Sequence, residues 1–532
     1  MKLSQLLAAC AVPIATAWAE FTFGVASGDV TDRAAIVWTR TDEPRNLLLK
    51  LTRDATFGTL DREVAITTAA DSDSTAKLDL TDLTPATRYY YRFEDAADAS
   101  VVSDVGQFKT LAASDVALPM RFAFSGDTNF AVAPFGVVAS LAREPVDLFI
   151  WFGDTIYADV PAGGLGVAQT LDEYRAKYRQ IRSDPSIRSA LAAMPIWTGG
   201  DDHEVENDYA GLDPDLSAAQ RADAYQAFFE YMPIRNRGDA SDPYRLYRNY
   251  RHGSLAEFFF LDARQYRDAS ASDDCGGALD PLGTVGGLLT YDGACANELK
   301  QPRAFLGRTQ LDWLKDGLAA STAPWKFIVN NVPFSYLGVF PYDRWDGYDA
   351  ERQELLEFIH AQRIAGVVIL TTDIHANAIV PDTSVYFRNN RSDYALRDDI
   401  RVPEIIVGPL GNATARQSVA GIAESLLGER IGRFVVEIAE GFLTLQLSKF
   451  DRIAYIDTNR VSYVVINVES PDTARVTYRG LSPEESNDAT LAAETLHTAD
   501  LNDAPGSACA LPVVGSLALL IASMAAGRRA TR

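Results

Sequence analysis

Residues 20–112 contain short apolar runs that are separated by turn residues. Apolar and polar positions partly alternate within these runs, and no segment has the 3.6-residue period of a helix. This pattern predicts β-strands. The predicted strands are AAIVWTR, NLLLKLTR, REVAITTAA, TAKLDLTDL, RYYYRFED and SDVGQFKTL. We therefore predict an all-β N-terminal domain over residues 20–112.

The pattern changes from about residue 119 onwards. Apolar runs typical of buried strands now alternate with helical stretches, which is the pattern of an α/β fold. The strand candidates are MRFAF, DLFIWF, IWTGG, LAEFFFLD, WKFIVNNV and GVVILTT. The helical stretches are LDEYRAKYRQIRSDPSIRSALAAM, LSAAQRADAYQAFFEYM, TQLDWLKDGLAAS and DAERQELLEFIHAQR. We predict an α/β domain over residues 113–480 and a polar linker over residues 481–507.

The stretch LTPATRYYYRFE, at residues 83–94, resembles the tyrosine-corner region of fibronectin-type domains. Either Tyr89 or Tyr91 would take the corner role. We therefore expect the N-terminal domain to be an immunoglobulin- or fibronectin-like β-sandwich that supports the larger domain.

Both ends of the chain have the pattern of targeting segments. Residues 1–19 combine Lys2 with a short apolar stretch and a final AWA sequence, which predicts a secretory signal peptide. Residues 508–532 contain an apolar run long enough for one membrane span, followed by three arginines. This run fits a membrane anchor or a sorting tail that is cut off after export, and it fits a buried helix less well. We expect an exported protein that is periplasmic, extracellular or held at the cell surface.

The chain has four cysteines, and two of them lie in the end segments. Cys275 and Cys295 remain in a Gly- and Asp-rich stretch of the larger domain. In an exported protein this pair predicts a disulfide that closes a loop of about 20 residues, worth about 3 kcal/mol of stability. Two free thiols are the alternative.

The net charge of the chain is −23. This charge argues against nucleic-acid binding, because a polyanion would be repelled. An anionic small substrate would need a local reversal of the field, which bound metal ions can supply. The sequence leaves the oligomeric state open.

Polar residues follow four of the predicted strands of the α/β domain. Any one of these groups fits a turn or a helix cap, but ligands of open α/β sheets bind at the carboxyl ends of strands. Two of the chain's five histidines belong to these groups. The residues are Asp127 and Asn129, Asp154 and Tyr157, Asp201, Asp202, His203 and Glu204, and Asp373 and His375.

These oxygen-rich groups are consistent with a two-metal site for hard cations or ferric iron. Two neighbouring cations can clamp a phosphoryl group, and one of them can generate a hydroxide nucleophile. Asp154 is our candidate for the carboxylate that bridges both ions, because it follows a central strand. Gly153 would let the backbone turn so that Tyr157 converges with Asp154 as a phenolate ligand.

The order of these groups resembles the metallophosphoesterase superfamily and, more closely, the alkaline phosphatase D family. The resemblance covers nearly the whole mature chain. It rests on GDTIYAD, DDHEVENDY, LDARQYR, LGRTQLDWLKDGLAASTAPWKFIVNNVPFS, WDGYDAERQELLEFI and TTDIHAN together with the β-sandwich. It implies a four-layer αββα fold, Fe³⁺ and Ca²⁺ as metals, and cleavage of phosphomonoesters and often phosphodiesters.

The resemblance also implies roles for individual residues. Asp154 would bridge the metals and Tyr157 would bind iron, while Asp202, Asp373 and His375 complete the metal ligands. His203 would act as a proton donor or as a transition-state stabiliser. Arg264 would either pair with phosphate or hold a loop by a salt bridge, and of these we favour the structural role. We expect Asn129 and Asp201 to bind substrate. Asp346, Tyr348 and Arg352 would line the mouth, with a helix cap at Asp349 as the competing interpretation.

Two features depart from the family pattern. Members commonly have a cysteine ligand after the first strand, where this chain has FAFSGDTN. We expect Asp127 to replace the thiolate, with Asn129 in the position of a superfamily histidine. A carboxylate makes that site harder, so Zn²⁺ or Mn²⁺ stays open beside iron. The other departure is that residues 1–19 contain no arginine, whereas members often carry a twin-arginine signal.

The sequence therefore predicts an exported metal-dependent phosphoesterase that acts on small phosphate esters by attack of a metal-bound hydroxide. One alternative is a cell-surface binding or adhesion protein that keeps the fold without the chemistry. Another is a phosphodiesterase of the same fold that acts on phospholipids.

Overall fold

A computed structural model describes residues 21–211, 217–270, 301–336, 343–427 and 453–502. The predicted signal peptide (1–19), the predicted tail (508–532), Cys275 and Cys295 lie outside these residues. The strands are β1 (Val25–Gly28), β2 (Ala35–Arg40), β3 (Asn46–Thr52), β4 (Arg62–Thr67), β5 (Thr75–Leu80), β6 (Arg88–Asp95), β7 (Gly106–Lys109), β8 (Met120–Ser125), β9 (Leu148–Phe152), β10 (Ile196–Gly199), β11 (Arg248–His252), β12 (Ala256–Phe260), β13 (Trp325–Val329), β14 (Val367–Thr371), β15 (Asn377–Val380), β16 (Glu404–Ile406), β17 (Tyr455–Asp457), β18 (Val461–Ser470), β19 (Thr473–Leu481) and β20 (Glu494–Asp500).

The helices lie mostly between the strands of the larger domain. They are α1 (Gly136–Leu141), α2 (Leu171–Arg182), α3 (Pro185–Ala193), α4 (Ala218–Tyr231), α5 (Gly307–Ala320), α6 (Asp349–Ala361), α7 (Ser384–Asn390) and α8 (Ala415–Leu427). No helix in the described part of the chain is long and apolar enough to span a bilayer.

Local sequence signals explain where these helices begin. Before α2, Thr170 and Glu173 form a reciprocal capping box that satisfies the first free N–H groups. Before α3, the Asp184 carboxylate accepts the N–H groups of Ser186 and Ile187 at 2.8 and 3.1 Å. Pro185 then occupies the first turn of α3, where its missing N–H costs nothing.

Two large sheets form the centre of the molecule. One has the strand order β20-β19-β18-β8-β9-β10-β1-β2-β5, and the other has the order β11-β12-β13-β14-β16-β15-β17. Strands β8, β9 and β10 are parallel to one another, as are β12, β13, β14 and β16. The carboxyl ends of the neighbouring parallel strands in each sheet therefore lie on one edge of that sheet.

Apolar packing holds the sheets face to face. Phe122 of β8 contacts Phe258 of β12 and Phe327 of β13, with ring centroids 5.2 and 5.3 Å apart. Separate apolar clusters lie on the outer faces, where α1 to α4 cover the first sheet and α5 and α6 cover the second. Strands such as β9 are buried on both faces, which explains their continuous apolar sequence. The predicted four-layer αββα fold is confirmed.

The N-terminal residues form the predicted sandwich. A four-stranded sheet, β4-β3-β6-β7, shares an apolar core with β1, β2 and β5. Tyr89 takes the corner role, because its hydroxyl accepts the N–H of Thr84 at 3.0 Å. The sandwich is less separate than we expected, since β1 pairs with β10 and so extends the large sheet.

The predicted linker over residues 481–507 is partly wrong. Strand β20 lies within this range and pairs with β19 along the edge of the nine-stranded sheet. Its sequence, ETLHTAD, is polar and mostly exposed or half-buried, as is typical of an edge strand with one solvated face. The amino-acid composition of β20 is therefore similar to that of a linker.

Candidate metal centre

Four aspartates occupy equivalent positions beyond parallel strands. Asp127, Asp154, Asp201 and Asp373 each lie two residues past the end of β8, β9, β10 and β14, respectively. Their side chains and those of their neighbours gather into groups whose possible ligand atoms lie within 4.8 Å of one another. The groups are Asp127–Asp154–His375, Asp154–Asp202–His203 and Asp201–Asp202–Asp373. The expectation that these distant residues converge is met, and Asp154 belongs to two groups.

The backbone at these positions adopts an uncommon conformation. Asp127, Asp154, Asp373 and His375 have φ values of 64°, 49°, 75° and 53°. This left-handed region costs a non-glycine residue on the order of 1 kcal/mol, and such residues concentrate at functional sites. Gly153 has a φ of 79°, and a Cβ there would lie 3.1 Å from the Cβ of Asp201. The glycine thus permits the tight turn that the sequence predicted.

Tyr157 lies between Asp154 and His375 of the first group. Its hydroxyl donates to Asp154 Oδ2 at 2.8 Å and lies 3.1 Å from His375 Nε2. Asp127 Oδ1 accepts the N–H of Asp373 at 3.2 Å and lies 4.0 Å from His375 Nε2. Asp127 Oδ2 is buried and has no hydrogen-bond partner within the described ranges. This orphaned oxygen is the kind of atom that a cation would satisfy.

His203 belongs to the second group and is held by a carboxylate that the sequence analysis missed. Its Nδ1 is 2.6 Å from Asp159 Oδ1, and Asp159 Oδ2 accepts the N–H of Asn207 at 3.0 Å. The His203 ring also lies against Tyr157, with ring centroids 4.0 Å apart. The sequence did contain a signal for Asp159, because it is the last residue of GDTIYAD and lies five positions after Asp154.

Arg264 is buried among carboxylates. It is 1% exposed, pairs with Asp201, and donates to Asp343 Oδ1 at 2.7 Å. Its Nη2 lies 3.6 Å from Asp202 and 3.7 Å from Asp373. Asp201, which we expected to bind substrate, also accepts from Asn331 Nδ2 at 2.7 Å. Arg264 and Asp201 therefore hold the metal-ligand loops together, as the structural interpretation of Arg264 predicted.

The electrostatics of the centre require additional positive charge. Burial and the neighbouring carboxylates raise the pKa of Asp127 and Asp154 well above the ordinary value, and the same causes raise the pKa of Asp373. Burial opposes ionisation of Asp202, but Arg264 and His203 hold its pKa below the ordinary range. Bound cations would offset the repulsion among these buried carboxylates. The donors present therefore fit metal ions.

The two histidines have opposite shifts. Burial disfavours the charged form of His203, but Asp202 and the hydrogen bond with Asp159 outweigh it and raise its pKa to about 9. Burial lowers the pKa of His375 to about 4. The carboxylates thus favour the protonated form of His203, whereas burial favours the neutral form of His375, which offers a lone pair.

Three of the predicted substrate contacts have other partners. The Asn129 amide oxygen accepts the N–H of Ala131 at 2.9 Å and caps a short 3₁₀ turn. Asp346 is buried in an ion pair with Arg352, and the Tyr348 hydroxyl donates to the carbonyl of Asp268 at 2.9 Å. The prediction that Asp346 and Tyr348 line the mouth is wrong, because both are 1% exposed or less.

The competing cap at Asp349 is not formed either. Asp349 pairs with Arg352 and Arg391, and it accepts the Tyr394 hydroxyl at 2.7 Å. Asp349 therefore connects the start of α6 to Arg391 and Tyr394.

The stacked sheets, the outer helices and the acidic centre at the strand ends define a metallophosphoesterase-like protein. Residues 122–474 match the model of the PhoD-like phosphatase family, and residues 8–112 match that of its N-terminal domain. This protein belongs to the PhoD-like phosphatase family. The family resemblance of the sequence is confirmed.

Individual relatives agree with this assignment. The chain is 32% identical to alkaline phosphatase D of Bacillus subtilis (strain 168) over 395 residues, which are 67% of this chain and 64% of that protein. The chain thus matches slightly less than two thirds of that relative's length. The solved structure of PhoD aligns with a TM-score of 0.71 and 26% identity, covering 91% of this chain and 90% of that one.

A more distant structure shares the fold alone. The purple acid phosphatase PPD1 from yellow lupin (Lupinus luteus) seeds aligns with a TM-score of 0.51 and 12% identity. The alignment covers 92% of this chain and 77% of that one. Membership of the phosphatase family is consistent with the acidic groups, which could hold metal ions.

Proposed function

We propose that this protein is a metal-dependent hydrolase of small phosphate esters, acting on monoesters, diesters or both. The observation that carries this proposal is the pair of ligand groups that share Asp154. A shared carboxylate is what two neighbouring cations need as a bridge. Membership of the PhoD-like family and the similarity to alkaline phosphatase D support the same reaction class.

The first group, with Tyr157, would hold one cation, and Asp202 with Asp373 would hold another beside Asp154. When bound, the cations supply Lewis-acid stabilisation of the phosphoryl oxygens and a hydroxide nucleophile at neutral pH. His203 would donate a proton to the leaving oxygen, with Asp159 holding its ring. Arg264 would keep the acidic loops in place.

The donor set favours hard cations. The first group and Tyr157 together supply carboxylates, a phenol and one imidazole. Asp127 lies where related proteins commonly have a cysteine. We propose Fe³⁺ or another hard ion there and Ca²⁺ at Asp202 and Asp373, with Zn²⁺ or Mn²⁺ as the competing outcomes.

The test is chelation of the purified protein followed by addition of single metals. Hydrolysis of p-nitrophenyl phosphate and bis(p-nitrophenyl) phosphate should disappear and then return with the correct metals. The paired substrates give the preference between monoesters and diesters. A protein that binds no metal and stays inactive with every metal supplied would refute the proposal and favour the adhesion alternative.

Asp154→Asn tests the bridging role directly. It should reduce turnover by at least about a hundredfold and lower the metal content found by elemental analysis. Asp316→Asn is the matched control, because Asp316 is exposed on α5. Unchanged turnover and metal content in Asp154→Asn would contradict the bridging assignment.

We also propose export, on the basis of the signal-like residues 1–19. Cell fractionation should recover the protein outside the cytoplasm, either released or bound to the surface. Recovery of the full-length chain in the cytoplasm alone would contradict this.

A further inference from the structure

Asn412 is a buried amide beside the metal centre that has no part in the mechanism above. It is 7% exposed and lies in the loop that follows β16. Backbone hydrogen bonds fix this loop against the loop after β8. The N–H of Gly411 donates to the carbonyl of Asp127 at 3.0 Å, and the N–H of Asn129 donates to the carbonyl of Gly411 at 2.7 Å. Asn412 therefore has a fixed position relative to Asp127.

The orientation of the Asn412 amide is also fixed. Its Oδ1 accepts the N–H of Ala413 at 2.8 Å, so the opposite end of the amide must be the donor. Nδ2 lies 3.4 Å from His375 Nε2. The Tyr157 hydroxyl approaches the same nitrogen at 3.1 Å. Since the Tyr157 hydroxyl donates its one proton to Asp154, the Asn412 N–H is the donor that faces the lone pair of His375 Nε2.

His375 Nε2 cannot accept from the Asn412 N–H and bind a cation at once, because a neutral imidazole offers one lone pair. If the first group holds a metal through this nitrogen, the Asn412 N–H loses its acceptor. Tyr157 keeps a second partner in Asp154 Oδ2 at 2.8 Å. Asn412 Nδ2 has no other hydrogen-bond partner among the described side chains and backbone, so a buried donor would face the metal without an acceptor.

We infer that Asn412 Nδ2 donates to a non-bridging oxygen of the phosphoryl group that binds at this metal. The inference rests on the proposed function, and it assigns Asn412 as a substrate-binding residue of that site. A phosphoryl oxygen supplies the acceptor that the metal removes. A preorganised amide donor in a dry site is also an effective stabiliser of developing negative charge.

The test measures binding of inorganic phosphate to the metal-loaded protein by isothermal titration calorimetry, together with metal content by elemental analysis. Asn412→Ala should weaken phosphate binding about tenfold or more, the value of a hydrogen bond to a charged group. Its metal content should match that of the wild type. Asn412→Asp keeps the acceptor for Ala413, removes the donor and adds negative charge, so it should weaken phosphate binding further.

Asn236→Ala is the matched control, because the Asn236 amide oxygen also accepts a backbone N–H, that of Gly238 at 2.8 Å, and Asn236 belongs to none of the ligand groups. It should keep the phosphate affinity of the wild type.

Equal phosphate affinity in Asn412→Ala and the wild type would overturn the inference. Loss of metal in Asn412→Ala would also overturn it, since Asn412 would then only hold His375. The proposed function fails separately if the metal-loaded wild type neither binds phosphate nor hydrolyses esters, and the inference fails with it.

Discussion

The contact between Asp159 and His203 gives the sharpest prediction about the chemistry. Asp159 Oδ1 lies 2.6 Å from His203 Nδ1, and both side chains are largely buried, with exposed fractions of 16% and 15%. Asp159→Asn keeps the size of the side chain and an acceptor oxygen but removes the charge. We expect the ring to stay in place while its protonated form is less stable.

The size of the effect follows from the type of hydrogen bond. A bond to a charged partner is worth about 1.5–3 kcal/mol, and a neutral one about 0.5–1.5 kcal/mol. The substitution should therefore cost about 1–1.5 kcal/mol, or about five- to twelvefold in rate. His203→Ala removes the proton donor altogether and should cost about 10²- to 10⁴-fold.

The pH dependence has a defined sign. Asp202 and Asp159 raise the pKa of His203 to about 9 against the effect of burial, so these carboxylates favour the protonated ring. Removal of the Asp159 charge lowers this pKa. The loss of activity at alkaline pH should therefore begin at a lower pH in Asp159→Asn.

The assay compares an alkyl phosphate, whose alcohol leaves poorly, with p-nitrophenyl phosphate, whose phenol leaves without a proton. The rate of Asp159→Asn should fall for the alkyl ester and change little for the nitrophenyl ester. Asp316→Asn should alter neither rate. An equal loss on both substrates, or no loss on either, would refute the role of His203 as the proton donor.

Two further predictions concern stability. Arg264→Met should lower the free energy of unfolding by about 3–5 kcal/mol in urea titrations, because Asp201 and Asp343 lose a buried partner; a loss below about 1 kcal/mol would contradict this. Burial lowers the pKa of His360, whose Nδ1 accepts the N–H of Arg397 at 3.0 Å, so its contribution should be lost as pH falls below about 6.5. The melting temperature should fall less steeply between about pH 7 and 5 in His360→Gln, and an identical slope would contradict the assignment.

Much of the candidate site could be predicted from the sequence. An apolar strand followed two residues later by an aspartate recurs after β8, β9, β10 and β14. Each such unit is local, because the strand buries its apolar residues and the polar residue at its end must turn out of the core. The carboxyl ends of β8 and β9 lie on one edge of the same sheet, so the convergence of Asp127 and Asp154 follows from the fold class. Asp373 follows β14 of the other sheet, and the packing of the two sheets brings it to them.

The local sequence did not predict the position of a polar residue where that residue had several possible partners. Asp346 and Tyr348 lie in a loop rich in polar residues that is typical of a site mouth, but Arg352 and the carbonyl of Asp268 bind them in the interior. Strand β20 was missed because an edge strand needs few apolar residues, and only its pairing with β19 defines it.

The sequence by itself determined the strands, the turns at their ends and the acidic residues placed there, since each depends on neighbours within a few positions. Only the tertiary structure decided which of these side chains face one another. Asp159 reaches His203 across 44 residues, Asn412 reaches His375 across 37, and Arg264 reaches Asp201 across 63. Such contacts depend on how strands and loops from distant parts of the chain are packed, and no local pattern of residues encodes that packing.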